Sequence, residues 1–147
     1  MIEPAATILL TDDDEGHRIL IEENLRAAGL ENPLLTFSDG RELLDFLQGF
    51  HPRHQVDHAR PYLALLDIRM PRMDGLETLR RIRADAKLRR LAVIMLTTTD
   101  DSREVGRAYE LGCACYLSKP VDITRFTEAV QRLGKFIQFM EIPSTGP

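Results

Sequence analysis

Four short runs in this chain of 147 residues carry side chains able to act on one another: Asp12-Asp13-Asp14, Asp67, Thr97-Thr98-Thr99 and Lys119-Pro120. Gathered in one place, Asp12, Asp13 and Asp67 would have Lys119 as their only local counter-charge. Clustered carboxylates repel and resist ionising together, so such a site calls for a cation. Hard oxygen ligands that leave positions for water and phosphate suit Mg²⁺. A single aspartate ending an apolar strand, beside a metal, a lysine and a threonine, suits a carboxylate nucleophile that accepts a phosphoryl group. The metal and Lys119 would neutralise the transferring oxygens, and the Thr97 hydroxyl could bond one of them. Each run also has a plainer reading. The aspartates and threonines are ordinary turn and helix-cap residues, and Lys-Pro is a common turn.

The elements around these runs decide between the readings. Apolar runs at Ile8–Leu10, Leu34–Phe37, Tyr62–Leu66, Ala92–Leu96 and Cys115–Ser118 read as strands. Between and after them, segments near 15–28, 40–48, 75–84, 102–111 and 123–140 carry apolar residues at helical spacing. Five β-then-α units predict an α/β fold, a five-stranded parallel sheet with helices on both faces. In such doubly wound, flavodoxin-like sheets the working site lies beyond the carboxyl ends of the strands. All four reactive runs follow strands, so they are expected on one edge.

Composition narrows the class further. A hydrophobic fraction of 44% and a charged fraction of 29% predict one soluble domain over 1–147. No apolar run is long enough to span a bilayer, and no export signal opens the chain, so a cytoplasmic protein is expected. The net charge of −4 supplies no basic stripe for nucleic acid. Cys113 and Cys115 read as reduced core or near-core thiols, too few for a zinc site.

The motifs Ile8-Leu9-Leu10-Thr11-Asp12-Asp13-Asp14, Leu65-Leu66-Asp67-Ile68-Arg69-Met70-Pro71, Met73-Asp74-Gly75, Leu96-Thr97-Thr98 and Lys119-Pro120 resemble those of response-regulator receiver domains over nearly the whole chain. The resemblance implies that Asp67 is the phosphoacceptor. Asp13 and Asp67 would ligate Mg²⁺ directly, Asp12 through water, with the backbone carbonyl of Arg69 completing the protein ligands. Thr97 and Tyr116 would be the switch pair, and Lys119 would bridge phosphoryl group and acids. Arg69 and Thr99 fall where the family tunes the lifetime of the phosphoryl group. The implied partner is a sensor histidine kinase. A phosphatase of the haloacid-dehalogenase type is disfavoured, because it needs an acid where Arg69 stands; a scaffold that has lost phosphorylation is disfavoured by the intact acids, Thr97 and Lys119.

Two segments depart from the ordinary pattern. The loop 49–61 is long and carries His51, His54 and His58, which read as solvated or partner-contacting rather than metal-binding. The loop resembles that of single-domain receivers paired with bacterial phytochrome-type kinases. In the last helix Phe126, Val130, Leu133, Ile137 and Met140 form the core stripe, while Phe136 lies at its edge and Phe139 nearly opposite. Either the tail Glu141-Ile142-Pro143 covers Phe139, or a homodimer forms through the fourth and fifth helices and the extension 136–147. The dimer is the favoured expectation. With only a short tail after the fifth helix, output is expected to pass through protein contacts.

Overall fold

The computed structural model describes residues 5–98 and 100–145. Its elements in chain order are β1 (Thr7–Thr11), α1 (Glu15–Ala27), β2 (Leu34–Phe37), α2 (Gly40–Leu47), β3 (Tyr62–Leu66), α3 (Gly75–Ala84), β4 (Ala92–Thr97), α4 (Ser102–Glu110), β5 (Cys115–Ser118) and α5 (Ile123–Ile137). The strands form one parallel sheet in the order β2-β1-β3-β4-β5. β1 and β3 are buried along their whole length, as continuous apolar strands at the centre of a doubly covered sheet must be.

Strand alternation sorts the core into two layers. Ile8, Leu10, Leu63, Leu65, Ile94 and Leu96 point toward α1 and α5, where they meet Ile21, Leu25, Phe126, Val130, Leu133 and Ile137. Leu9, Ala64, Leu66, Val93 and Met95 point the other way, against Leu43 and Leu47 of α2, Leu79 and Ile82 of α3, and Ala108 of α4. Both cysteines are free: Cys113 joins the second layer from the turn before β5, and Cys115 packs on the first. Against α1, Gly134 allows close approach, since a Cβ there would meet the Ala28 Cβ at 2.9 Å.

All five helices begin on an aspartate N-cap: Asp14, Asp39, Asp74, Asp101 and Asp122 each accept a bond from a backbone N–H of the first turn. This satisfies amides that the helix itself leaves unpaired and favours the positive end of its dipole. Each of these strand-to-helix junctions is thereby fixed in place.

The C-terminus departs from the periodicity. α5 stops at Ile137 instead of continuing to Met140, because the next turn tightens into bonds from Phe139 N to Phe136 O and from Met140 N to Ile137 O. The Gln138 amide donates to the carbonyl oxygens of Ala28 at 3.1 Å and Gly134 at 3.3 Å, pinning the end of α5 to α1. The tail does fold back, but onto the start of β3. Ser144 bridges Pro61, Thr145 N donates to Arg60 O at 3.4 Å, and Ile142 packs on the α1–α5 layer. Phe139 stays 86% exposed and Phe136 58%.

Arg83 of α3 clamps two chain segments together. Its guanidinium donates to the carbonyl oxygens of Leu111 at 2.7 Å, Leu91 at 2.8 Å, Arg89 at 2.9 Å and Gly112 at 3.0 Å. One side chain thus joins the end of α4 to the start of β4. Charge-assisted bonds of this kind are stronger than neutral ones, so Arg83→Met should cost about 2 kcal/mol of stability. Urea denaturation would read this as a lower midpoint with unchanged slope; an unshifted midpoint would refute the clamp.

Candidate functional site at the carboxyl edge of the sheet

Strand order reverses between β1 and β3: the chain leaves β1 for β2 on one side, then returns to β3 on the other. Such a switch point opens a crevice beyond the strand ends. Thr11 pairs with Leu66, so the next residues, Asp12 and Asp67, emerge side by side. Asp67 N donates to Thr11 O at 3.0 Å and Asp12 N to Phe37 O at 3.1 Å, which fixes both backbones. On the other side Thr97 pairs with Ser118, and Lys119 N donates to Thr97 O at 2.6 Å.

From these positions the side chains converge. Asp12, Asp67, Thr97 and Lys119 are all buried, while Asp13 is exposed at the rim. The Lys119 Nζ donates to Asp12 Oδ2 in a short contact and to Asp67 Oδ2 at 3.2 Å. The other oxygen of each acid is held by the backbone: Asp12 Oδ1 accepts from Asp14 N at 2.9 Å, and Asp67 Oδ1 from Ile68 N at 2.7 Å. One carboxylate oxygen from each of Asp12, Asp13 and Asp67 lies within 4.8 Å of the others, an all-oxygen set suited to a hard divalent cation. Burial pushes the Asp12 carboxyl above the usual aspartate range, and the Asp67 charge adds to this against the opposing pull of Lys119.

The loop after Asp67 is held by two close contacts. Gly75 N donates to Ile68 O at 2.8 Å, and a Cβ at Gly75 would fall 2.0 Å from the Asp67 carbonyl oxygen, so only glycine lets α3 start there. Arg72 adopts a φ of 64° and places Nε 2.7 Å from the Oδ2 of Asp39, a buried carboxylate that also caps α2. Asp39 therefore braces the loop from the strand edge and stands outside the acid cluster. Arg69, two residues past Asp67, turns its guanidinium outward into an ion pair with Glu104 of α4.

Tyr116 is half-buried and packs on the layer under α2, α3 and α4. By alternation Thr97 follows Val93 and Met95 onto that same face. Thr99 lies outside the described residues. Phe136 and Phe139 stand near the opposite end of the molecule, because α5 returns antiparallel to the strands. The loop histidines correct the solvated reading: the His51 side chain is 2% exposed, stacks on His54 and packs edge-on against Phe37. Its Nδ1 accepts from the backbone N–H groups of Arg53 and His54, leaving it a structural role at the end of α2.

His17 escaped the sequence reading. Its Nδ1 lies 3.3 Å from the Lys119 Nζ and 3.8 Å from Asp12 Oδ2. The usable signal was its place three residues after the Asp14 cap, since side chains in a first turn tilt back toward the strand end.

The sequence and fold of the chain are matched by known proteins. The response regulator receiver domain family matches residues 8–131, and the chain belongs to that family. It is a signalling module of that kind. Response regulator Rcp1 from Synechocystis is 32% identical over 90% of this chain and 89% of its own length. The Mn²⁺-bound form of Rcp1 superposes with a TM-score of 0.83 at 29% identity over 94% of this chain and 99% of that one. A response regulator receiver domain from Rhodospirillum rubrum gives a TM-score of 0.88 at 38% identity, covering 97% of this chain and all of the other. The phosphorylated cyanobacterial phytochrome response regulator RcpA gives 0.82 at 26% identity, covering 95% of this chain and 99% of that one. Among the described residues no helix is long and apolar enough to cross a membrane.

A divalent cation held among these acids would relieve their repulsion and stabilise the fold by mass action. At a Mg²⁺ concentration a hundredfold above Kd, stabilisation of about 2.7 kcal/mol is expected, and it should largely vanish in Asp13→Asn. Because the Asp12 carboxyl binds protons above the usual range, protons compete with the metal and its affinity should fall as pH drops from neutrality into the acid range. Thermal unfolding with and without Mg²⁺ across pH reads both effects. A stabilisation equal in the variant would count against the site.

Proposed function

We propose that this chain works as a single receiver unit of a two-component phosphorelay, taking a phosphoryl group from a histidine kinase onto Asp67. The observation that carries the reading is the buried Asp67 carboxylate with the Lys119 Nζ 3.2 Å away and the oxygens of Asp12 and Asp13 within 4.8 Å. An Asp67 oxygen attacks the phosphorus of a phosphohistidine, the P–O bond forms as the P–N bond breaks, and the leaving imidazole nitrogen takes up a proton. No base is needed, because a carboxylate is already the nucleophile. Mg²⁺, held by Asp13 and Asp67 directly, by Asp12 through water and by the Arg69 carbonyl, would supply charge neutralisation. Lys119 offers its ammonium to the transferred oxygens, and the Thr97 hydroxyl turns toward the phosphoryl group. Tyr116 then moves into the space Thr97 leaves, a population shift between two packings. Arg69 and Thr99 set the lifetime. The chain thus catalyses only its own phosphorylation and dephosphorylation.

The similarity to RcpA and the long 49–61 loop support a phytochrome-type kinase as donor. Output passes through protein contacts, with a second copy favoured. An open apolar groove of about 400 Å³ runs between β5 and α5, lined by Leu96, Leu117, Phe126, Val130, Leu133 and Phe136. Phe139, in the turn that follows α5, is 86% exposed. A patch of large apolar side chains in this position suits a symmetric interface through α4, α5 and the 136–147 extension.

Intact-mass spectrometry after incubation with phosphoramidate and Mg²⁺ tests the chemistry. One phosphoryl adduct is expected on the wild type and none on Asp67→Asn or after chelation; an adduct on the variant would move the acceptor elsewhere. Sedimentation tests the assembly: Phe139→Ser should shift a dimer toward monomer, and an unchanged profile would remove Phe139 from the interface.

A further inference from the structure

We propose that Arg69 is a phosphoryl ligand held in reserve by Glu104, so that the group on Asp67 and the first turn of α4 compete for one guanidinium. The inference rests on Asp67 being the phosphoacceptor. Arg69 sits two residues past Asp67 on a loop whose backbone is locked by the Gly75 N to Ile68 O bond of 2.8 Å. Only its side chain is free to move, and it is 63% exposed. It spans to α4, where Glu104, 17% exposed, stands in the first turn behind the Asp101 cap.

Three observations make this pairing exchangeable. A carboxylate in the first turn of a helix is stabilised by the helix dipole, so Glu104 keeps a favourable electrostatic partner when Arg69 leaves it. An ion pair with one partner this exposed is weak and screened by salt. A phosphoryl group, by contrast, brings close to two negative charges and three acceptor oxygens, the geometry a guanidinium fork binds in bidentate fashion.

The other cations at this edge are already engaged within the fold. Lys119 is held by Asp12 and Asp67 beside His17, and Arg18 donates to the Asp12 backbone carbonyl. On the Asp67 loop itself Arg72 is tied to the buried Asp39, whereas Arg69 reaches through an exposed guanidinium to Glu104 on α4. Phosphorylation would therefore draw Arg69 from Glu104 to the phosphoryl oxygens and loosen one tie between the β3–α3 loop and α4. This is a route to the α4 surface additional to the Thr97 and Tyr116 pair.

Competition predicts opposite signs for the two halves of one ion pair. Beryllofluoride, a stable phosphoryl mimic, is titrated at saturating Mg²⁺ into the wild type, Arg69→Gln, Glu104→Gln and the double variant, with binding followed by NMR. Glu104→Gln should tighten apparent affinity about two- to fivefold, the scale of one partly exposed pair. Arg69→Gln should weaken it by a similar factor or more, and the double variant should follow Arg69→Gln. If both single variants shift affinity the same way, or Glu104→Gln has no effect, the pair is merely structural and the proposal fails. Absence of beryllofluoride binding to the wild type, or equal binding to Asp67→Asn, would overturn the phosphoacceptor reading and this inference with it.

Discussion

Two buried carboxylates share one ammonium at the carboxyl edge of the sheet, and that imbalance governs the rest of the site. Asp12 and Asp67 both bond Lys119 and stand beside Asp13 at the rim. Charges taken out of water are costly, and a pairing that leaves net negative charge does not recover the cost. The Asp12 carboxyl registers it by holding its proton above the usual range. A divalent cation or a repositioned lysine answers that excess, so the unmodified edge is poised to take both a metal and an anion that the metal can carry.

Holding such a site together falls to the framework around it. Adjacent β1 and β3 bring two acids to one point, while Lys119 reaches them from β5, across the end of β4. The helix caps fix the junctions, Gly75 locks the Asp67 loop, and the buried Asp39 pins it from the far side through Arg72. Arg83 performs the corresponding service at the opposite end, where α4 meets the start of β4. The scaffold is rigid where acids must stay close, and exposed long side chains such as Arg69 are left at its margin.

Much of this was legible in the sequence because the strands are continuous apolar runs and the reactive residues follow them directly. The parallel sheet, and the arrival of Asp12, Asp67, Thr97 and Lys119 at one edge, come from that pattern. What it could not separate was ligand from cap. Asp14 and Asp39 occupy strand ends as Asp12 and Asp67 do, yet each accepts a helix amide instead. The spacing Asp39-x-x-Glu42, Asp74-x-x-Glu77 and Asp101-x-x-Glu104 is a capping pattern at three of the helices, but Asp12-x-x-Glu15 shares it and the cap Asp14 lacks it, so spacing alone does not separate the two roles. His51 was illegible for another reason: its burial depends on Phe37 and Phe46, residues of other elements that only the fold places beside it. Likewise the end of α5 depends on Gln138 reaching Ala28 at the C-terminal cap of α1, a contact no helical period contains.

The acid edge and the apolar groove lie on different parts of the molecule, yet they share β5. Ser118 and Pro120 line the groove, and Lys119 between them points into the acids. A displacement of the Lys119 backbone is thus passed covalently to the groove wall. Phe126 extends the connection, since it lines the same groove and its ring lies 5.7 Å from that of His17, the neighbour of Lys119. Coupling between distant surfaces needs a physically contiguous element that both can bias. Here that element is short, running from Lys119 through β5 and the start of α5, and its far side is the open apolar groove.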